Sequence, residues 1–455
     1  MGHRVGKDAH RQLAQKLDGM TARTPWSDTL RAILEQLYSP EEAALVAAMP
    51  YGLASPERIA KLARLPLQRV LALLPGLAHK GLVIDLHHDE RAFYTVSPMV
   101  IGIFEFTLMR VGRSAEGLDL PKVAKLFHAY LNEEPAFWEA NLEAGNQFSV
   151  LRTLAHEGSV AEHVEVLDFD KASALIEAAQ SFAIGTCSCR HEKLHSGHEP
   201  CGAALEVCSA FDLGADYLIR NHLARPSSRA EMLDLLAQSR EQGLVLSADN
   251  VQRGAQYLCH CCGCCCNYLA GLNVWGYEHA VLSSGYIAKV DESACNGCGR
   301  CVKACPVGAL QLEPRFSVDN TEYSEEESSS TAAGSKRVAR LTEQHCIGCG
   351  VCTFPCKPSA IHLIARAQRV ITPLDSFEKV VLQALEKGTL QNLVFDNPNS
   401  HSQGFVRGLL GAFLRAPAVK QALLGDTLRS TFLKAVRTGV RASSMRWLLE
   451  PYQRG

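Results

Sequence analysis

The chain has 455 residues, room for about three domains, and 47% of them are hydrophobic, enough for sizeable cores. Lys and Arg number 46 against 48 Asp and Glu, a formal net charge of −2, so no global electrostatic pull toward nucleic acid or an anionic membrane is expected. The 18 cysteines argue against a disulfide scaffold, because such scaffolds are short secreted chains and many of these thiols lie too close in sequence to pair with one another.

The start, MGHRVGKDAH, has no apolar run behind its charges, so no signal peptide is expected. No window reaches the roughly 18 uninterrupted apolar residues of a membrane span. A reducing cytoplasm is therefore the expected location, where thiols stay available as thiolate ligands.

Residues 39–106 read as three helices and a hairpin. SPEEAALVAAM opens with Ser39 as N-cap, Pro40 at the first helical position and Glu42 as its capping-box partner. SPERIAKLARL repeats the pattern from Ser55, and PLQRVLALLPGLAHKGLV ends at Gly81, a C-cap. VIDLHHDERAFYTVSP then reads as two short strands around a polar turn, His87 to Arg91. The whole resembles a winged helix-turn-helix. DNA binding is one function for such a unit, and protein–protein contact is the other. The candidate recognition helix, 66–80, offers only Arg69 and Lys80 as cations and contains Pro75, poor material for phosphate contacts.

Residues 120–258 read as mainly helical, with a short strand at HVEVLDF, 163–169. Residues 316–337 form a Ser- and Glu-rich low-complexity insertion. Residues 401–449 carry eight Lys or Arg against one acid, Asp426, with Phe405, Leu409, Leu410, Phe413 and Leu414 at helical spacing. A packed helix pair with a solvated basic side is the expectation there, ahead of a docking or membrane face.

The cysteines occupy two blocks, 187–266 and 295–356. CNGCGRCVKACP (295–306) and CIGCGVCTFPCKP (346–358) both follow C-x2-C-x2-C-x3-C, the bacterial ferredoxin spacing for a [4Fe–4S] cluster. Three thiolates two residues apart wrap three corners of a cube, and the fourth reaches the other cluster. Cluster I would take Cys295, Cys298, Cys301 and Cys356; cluster II would take Cys346, Cys349, Cys352 and Cys305. Gly297, Gly299, Gly348 and Gly350 let the backbone pass close to the sulfides. Short extended stretches on both sides of each motif give two β-α-β halves. Zinc ribbons would instead space pairs of C-x2-C by a longer gap. The second copy has Lys357 where the first has Pro306, a cation that would favour the more negative reduced state of cluster I.

Ten cysteines remain: Cys187, Cys189, Cys201 and Cys208, then Cys259, Cys261, Cys262, Cys264, Cys265 and Cys266. They exceed the needs of one ion. A further Fe–S cluster, a zinc site using four of them, or thiol–disulfide chemistry each fits soft thiolates. His191, His195, His198 and His260 are either further ligands or solvated loop histidines, and Arg190 would neutralise an anionic cluster.

These features together resemble a family of 4Fe-4S dicluster-domain proteins of anaerobic and metabolically versatile bacteria and archaea. The resemblance rests on RQLAQKLDGM…TLRAILEQLYSPEEAALVAAM, CSCR…C…VC, CHCCGCCC and the tandem cysteine motif, and it covers most of the chain. The basic C-terminal extension and the Ser/Glu insertion fall outside it. It implies cluster binding and electron transfer with redox protein partners, and supplies no substrate. The expected fold is a multi-domain α+β chain. Its expected parts are a helical plus winged-helix-like domain (1–110), a mainly helical cysteine-rich domain (111–285), a tandem ferredoxin-type domain (286–366) and a helical basic extension (367–455). An electron carrier or electron-input subunit is the leading function. A redox-sensing regulator and a reductase using the extra cysteine centre are the alternatives. No glycine-rich phosphate loop follows a strand.

Overall fold

A computed structural model describes the chain except residues 1, 143–147, 200, 277–282, 316–336, 368–370, 396, 398–399, 443–445 and 451–455. Most of the Ser/Glu insertion lies outside the described residues. The fold mixes helices and sheets.

The N-terminal region is built from helices Gly2–Asp18, Asp28–Leu37, Pro40–Ala48, Pro56–Ala63 and Leu67–His79, followed by an antiparallel hairpin of β1 (Val83–His88) and β2 (Arg91–Val96). Its local chemistry follows the sequence closely. Ser39 and Glu42 close a reciprocal capping box. Gly81 adopts φ +79° after the Leu67–His79 helix, and the amides of Gly81 and Leu82 bond back to Ala78 and Leu77, the Schellman closure. The two-residue turn, Asp89 and Glu90, takes positive φ at both positions, as a tight hairpin requires.

Both cations of the Leu67–Lys80 segment are engaged within the unit. Arg69 pairs with Glu41, and Lys80 Nζ lies 2.7 Å from Glu42 Oε1. The hairpin is also docked on the central region. Buried Asp85 accepts bonds from Arg220 Nε at 2.6 Å and Asn221 Nδ2 at 2.7 Å.

The central region departs from the mainly helical expectation. It contains a six-stranded antiparallel sheet in the order β3-β7-β8-β5-β4-β6. The strands are β3 (Leu151–Leu154), β4 (Phe182–Thr186), β5 (Glu206–Phe211), β6 (Ala224–Pro226), β7 (Val245–Asp249) and β8 (Tyr257–Cys261). The expected strand at 163–169 is instead irregular and runs into a short 3-10 turn at Asp168–Asp170. The misreading has a physical cause. Strands β3, β4 and β7 are buried along their whole length, so they lack the two-residue polar alternation that marks a half-buried strand. Helices Ala172–Ala178 and Arg229–Glu241 cover one face through Ile176, Met232 and Leu235. The other face joins the core of the N-terminal helices.

The tandem cysteine region forms two strand pairs. β9 (Tyr286–Val290) pairs with β12 (Ile361–Ala365), and β10 (Leu310–Pro314) with β11 (Arg337–Leu341), both antiparallel. Each strand therefore pairs with one from the other copy of the repeat. The segment 156–161 docks this region on the central sheet: His156 N bonds Cys349 O at 3.0 Å, and Ala161 and Ser159 exchange bonds with Leu363.

C-terminal helices Ser376–Glu386, Leu390–Val394, His401–Arg415, Pro417–Leu424 and Asp426–Arg441 share a separate core around Leu382, Leu385 and Leu414. Leu410 and Leu414 face it, as a packed helix pair requires. The solvent side of the His401–Arg415 helix, however, carries Phe405, Leu409 and Phe413 besides its basic residues.

Candidate metal centres

The cysteine repeat encloses two cavities. One, of about 280 Å3, is lined by Cys295, Cys298, Cys301 and Cys356. The other, of about 310 Å3, is lined by Cys305, Cys346, Cys349 and Cys352. Gly297, Gly299, Gly348 and Gly350 all take left-handed φ between 66° and 83°. Gly348 also needs its bare Cα: a Cβ there would overlap the Tyr286 carbonyl oxygen and Ser284 Oγ.

Burial pushes the Cys349 thiol up to about 12 and the Cys352, Cys301 and Cys305 thiols upward, so a bare thiolate is disfavoured there and a ligated cation must supply the compensation. Backbone amides then stabilise the charge: Ala309 N donates to Cys305 Sγ at 3.2 Å. Lys357 is exposed beside Cys356.

Sequence reading missed two arginines. Arg315, just after β10, donates to the carbonyls of Glu292 at 2.8 Å and Cys295 at 2.5 Å. Arg366, just after β12, donates to the Tyr286 carbonyl at 2.9 Å and to that of Cys346. The two arginines are 51 residues apart, as are Cys295 and Cys346. Each arginine thus ties down the first cysteine of its own copy and brings a cation to that loop. That common offset was the available signal.

The other ten cysteines divide. Four sulfurs, of Cys201, Cys262, Cys264 and Cys265, lie within 4.8 Å of one another, near the surface. A hydrogen bond from Cys265, with the Arg190 guanidinium next, brings the Cys262 thiol down to about 4. Five others form a row of successive side-chain hydrogen bonds, Cys208–Cys259–Cys261–Cys266–Cys189, with Cys187 beside it. The strand period explains the row. Cys259 and Cys261 share one face of β8, and the pairing of Ser209 with Leu258 brings Cys208 alongside Cys259. Cys187 and Cys266 stand at the N-caps of helices Ser188–Ser196 and Asn267–Trp275, where amides lower thiol pKa values. Burial prevails at Cys187, which is pushed up to about 12.

Arg190 joins the two groups. It is buried and donates to Ala204 O at 2.6 Å and His260 O at 2.7 Å. Burial opposes its charge, but the Cys187 and Cys262 sulfurs raise its pKa. The histidines are differently placed. His260 and His191 are buried, not solvated. His260 sits between Ser239 Oγ at 2.6 Å and Ser209 Oγ at 3.1 Å, on the face of β8 opposite the cysteines. His191 Nδ1 donates to Leu108 O at 2.6 Å and its Nε2 meets His195 Nε2 at 3.0 Å; the His198 ring packs on His128. None of the four belongs to the close-packed sulfur group.

A further cavity, of about 430 Å3, is lined by Phe137, Trp138, Tyr268 and Lys387 among others. Tyr268 lies two residues beyond Cys266.

Among the described residues, no helix is long and apolar enough to cross a membrane. Residues 288–311 match the 4Fe-4S binding domain family. A ferredoxin, Ferredoxin-3 of Rhodobacter capsulatus, is 34% identical over 77 residues, 16% of this chain and 73% of the ferredoxin. No solved structure matches the chain. The cysteine-lined loops and this likeness agree: by its 4Fe-4S binding region, the chain belongs to the ferredoxin family of iron–sulfur proteins.

Proposed function

We propose that the chain is an electron carrier or electron-input subunit holding two [4Fe–4S] clusters in a domain spanning 286–366, with a further metal or Fe–S centre among the ten other cysteines. One observation carries the reading: each of the two cavities is lined by four cysteines, three from one motif and the fourth from the other, the crossed ligation of two-cluster ferredoxins. Arg315 and Arg366 position the two loops, and the buried thiols give up their protons on ligation. The clusters would supply one-electron chemistry, and nearby amides and cations of the chain would set their potential. The partner is a redox protein, and the setting is the cytoplasm.

The 39–106 unit reads as winged-helix-like, within a domain spanning 1–110, with a cysteine-rich domain at 111–285 and an extension from 367. Its recognition-helix cations are engaged by Glu41 and Glu42, which favours a docking role over DNA. The alternative is a reductase with the extra cysteine centre as active site; a small oxidant consumed only with reduced protein would support it, and no cysteine lines the cavity by Tyr268.

Iron and acid-labile sulfide on anaerobically purified protein test the proposal. At least about eight of each per chain are expected, with about four lost on Cys346→Ser. Values near four in the parent protein would refute the two-cluster reading.

A further inference from the structure

The ten cysteines outside the ferredoxin motifs do not form one centre. Cys201, Cys262, Cys264 and Cys265 come from two loops, and their sulfurs all fall within 4.8 Å of one another. A tetrahedral ion with metal–sulfur bonds of about 2.3 Å separates its sulfurs by about 3.8 Å. A cubane places four irons and four sulfides among its thiolates and holds them further apart. Among the described residues the two ferredoxin quartets do not meet the 4.8 Å limit, and neither does any trio of the other six cysteines. The quartet is thus sized for a single ion, and the ferredoxin quartets in the same chain show the wider spacing.

We infer that Cys201, Cys262, Cys264 and Cys265 bind one zinc ion as a closed tetrathiolate, separate from the other six cysteines. Four thiolates on one divalent ion carry a net charge of −2, and Arg190, buried and bonded to the carbonyls of Ala204 and His260, sits where it offsets part of that charge. With all four positions filled by sulfur, the ion has no open site for substrate, so its role is structural. It fixes the loop holding Gly263 against Pro306: a Cβ on Gly263 would lie 2.7 Å from the Pro306 carbonyl oxygen and 3.1 Å from its Cα. Pro306 follows Cys305, a ligand of the second ferredoxin quartet. Asn273 Nδ2 donates to the same Pro306 oxygen at 3.2 Å. The zinc loop thereby seats the cysteine-rich region on the ferredoxin-type region. This deepens the further-centre part of the proposed function and is independent of whether the two ferredoxin clusters form.

The test is zinc, iron and sulfide per chain on full-length protein purified without oxygen, before and after Cys264→Ser and, separately, Cys259→Ser in the five-sulfur row. The parent should hold about one zinc. Cys264→Ser should bring zinc close to zero with iron unchanged, and Cys259→Ser should leave zinc in place. Cobalt exchanged into the zinc site of the parent should give the visible absorption of a tetrahedral thiolate complex, and this readout does not depend on a variant folding. Loss of about four irons on Cys264→Ser would make the quartet a cubane site and overturn the assignment. So would a parent protein without zinc, or zinc lost equally from both variants. Absence of iron with zinc retained would instead refute the two-cluster reading and leave this one standing.

Discussion

Gly348→Ala tests the packing of the second ferredoxin loop, with Gly308→Ala as its control. Both glycines take positive φ, +66° and +61°, so alanine at either position carries the same left-handed penalty of about 1–2 kcal/mol. Only the surroundings differ. Nothing lies within 4 Å of a Cβ at Gly308, whereas a Cβ at Gly348 overlaps the Tyr286 carbonyl oxygen and comes 2.9 Å from its carbonyl carbon. Backbone on a paired strand cannot swing aside as a flexible side chain can. Overpacking adds about 1–3 kcal/mol, for a total of about 2–5 kcal/mol at Gly348, concentrated between Cys346 and Cys349. Thermal unfolding and iron content under anaerobic conditions read the result. Gly308→Ala should keep its iron and lose a little stability. Gly348→Ala should unfold at clearly lower temperature and lose about four irons per chain. Equal stability and full iron in both variants would refute the reasoning.

Arg366→Gln removes the guanidinium bonded to the Cys346 carbonyl; the cluster held by Cys346 should shift to a more negative potential, while Arg315→Gln should act on the cluster held by Cys295, both read by potentiometric titration. His260 is held down to about 3, first by burial and then by Arg190. The unfolded imidazole titrates near 6.5, so below that pH the unfolded state gains a proton that the folded state does not. Stability should therefore fall as pH drops from about 6.5 toward about 3, by up to about 1.4 kcal/mol per unit, and His260→Asn should flatten the dependence in anaerobic melts. Gly263→Ala should loosen the Pro306 contact and speed chelator access to the second cluster; an unchanged rate of iron loss would count against that contact. Duplex DNA at low salt should show no binding that Glu41→Gln and Glu42→Gln do not first have to release, since those acids hold Arg69 and Lys80.

The parts of the molecule legible in the sequence were those governed by short-range chemistry. The capping box at Ser39, the turn at Gly81 and the grouping of the eight tandem-motif cysteines around two cavities each follow from residue types at fixed offsets. The central sheet was not legible, because FAIGT and VLSAD are buried on both faces and carry no alternation. The division of the ten cysteines was equally hidden. CHCCGCCC presents six thiols within eight positions, and only the end of β8 at Cys261 separates Cys259 and Cys261, fixed on a strand face, from Cys262, Cys264 and Cys265, which turn away to meet Cys201. Arg315 and Arg366 look like ordinary strand-end cations until their carbonyl partners are seen. His260 reads in the sequence as a further ligand or a solvated loop histidine and is a buried strand residue between two serines.

The most direct test of the electron-transfer account is a reductive titration of the anaerobically purified chain, followed by electron paramagnetic resonance without any partner present. The account predicts two [4Fe–4S] centres that reduce and reoxidise reversibly within the range of about −700 to +450 mV open to such clusters, one of them lost on Cys346→Ser. A protein that holds iron and sulfide yet yields no reversible centre in that range would contradict it.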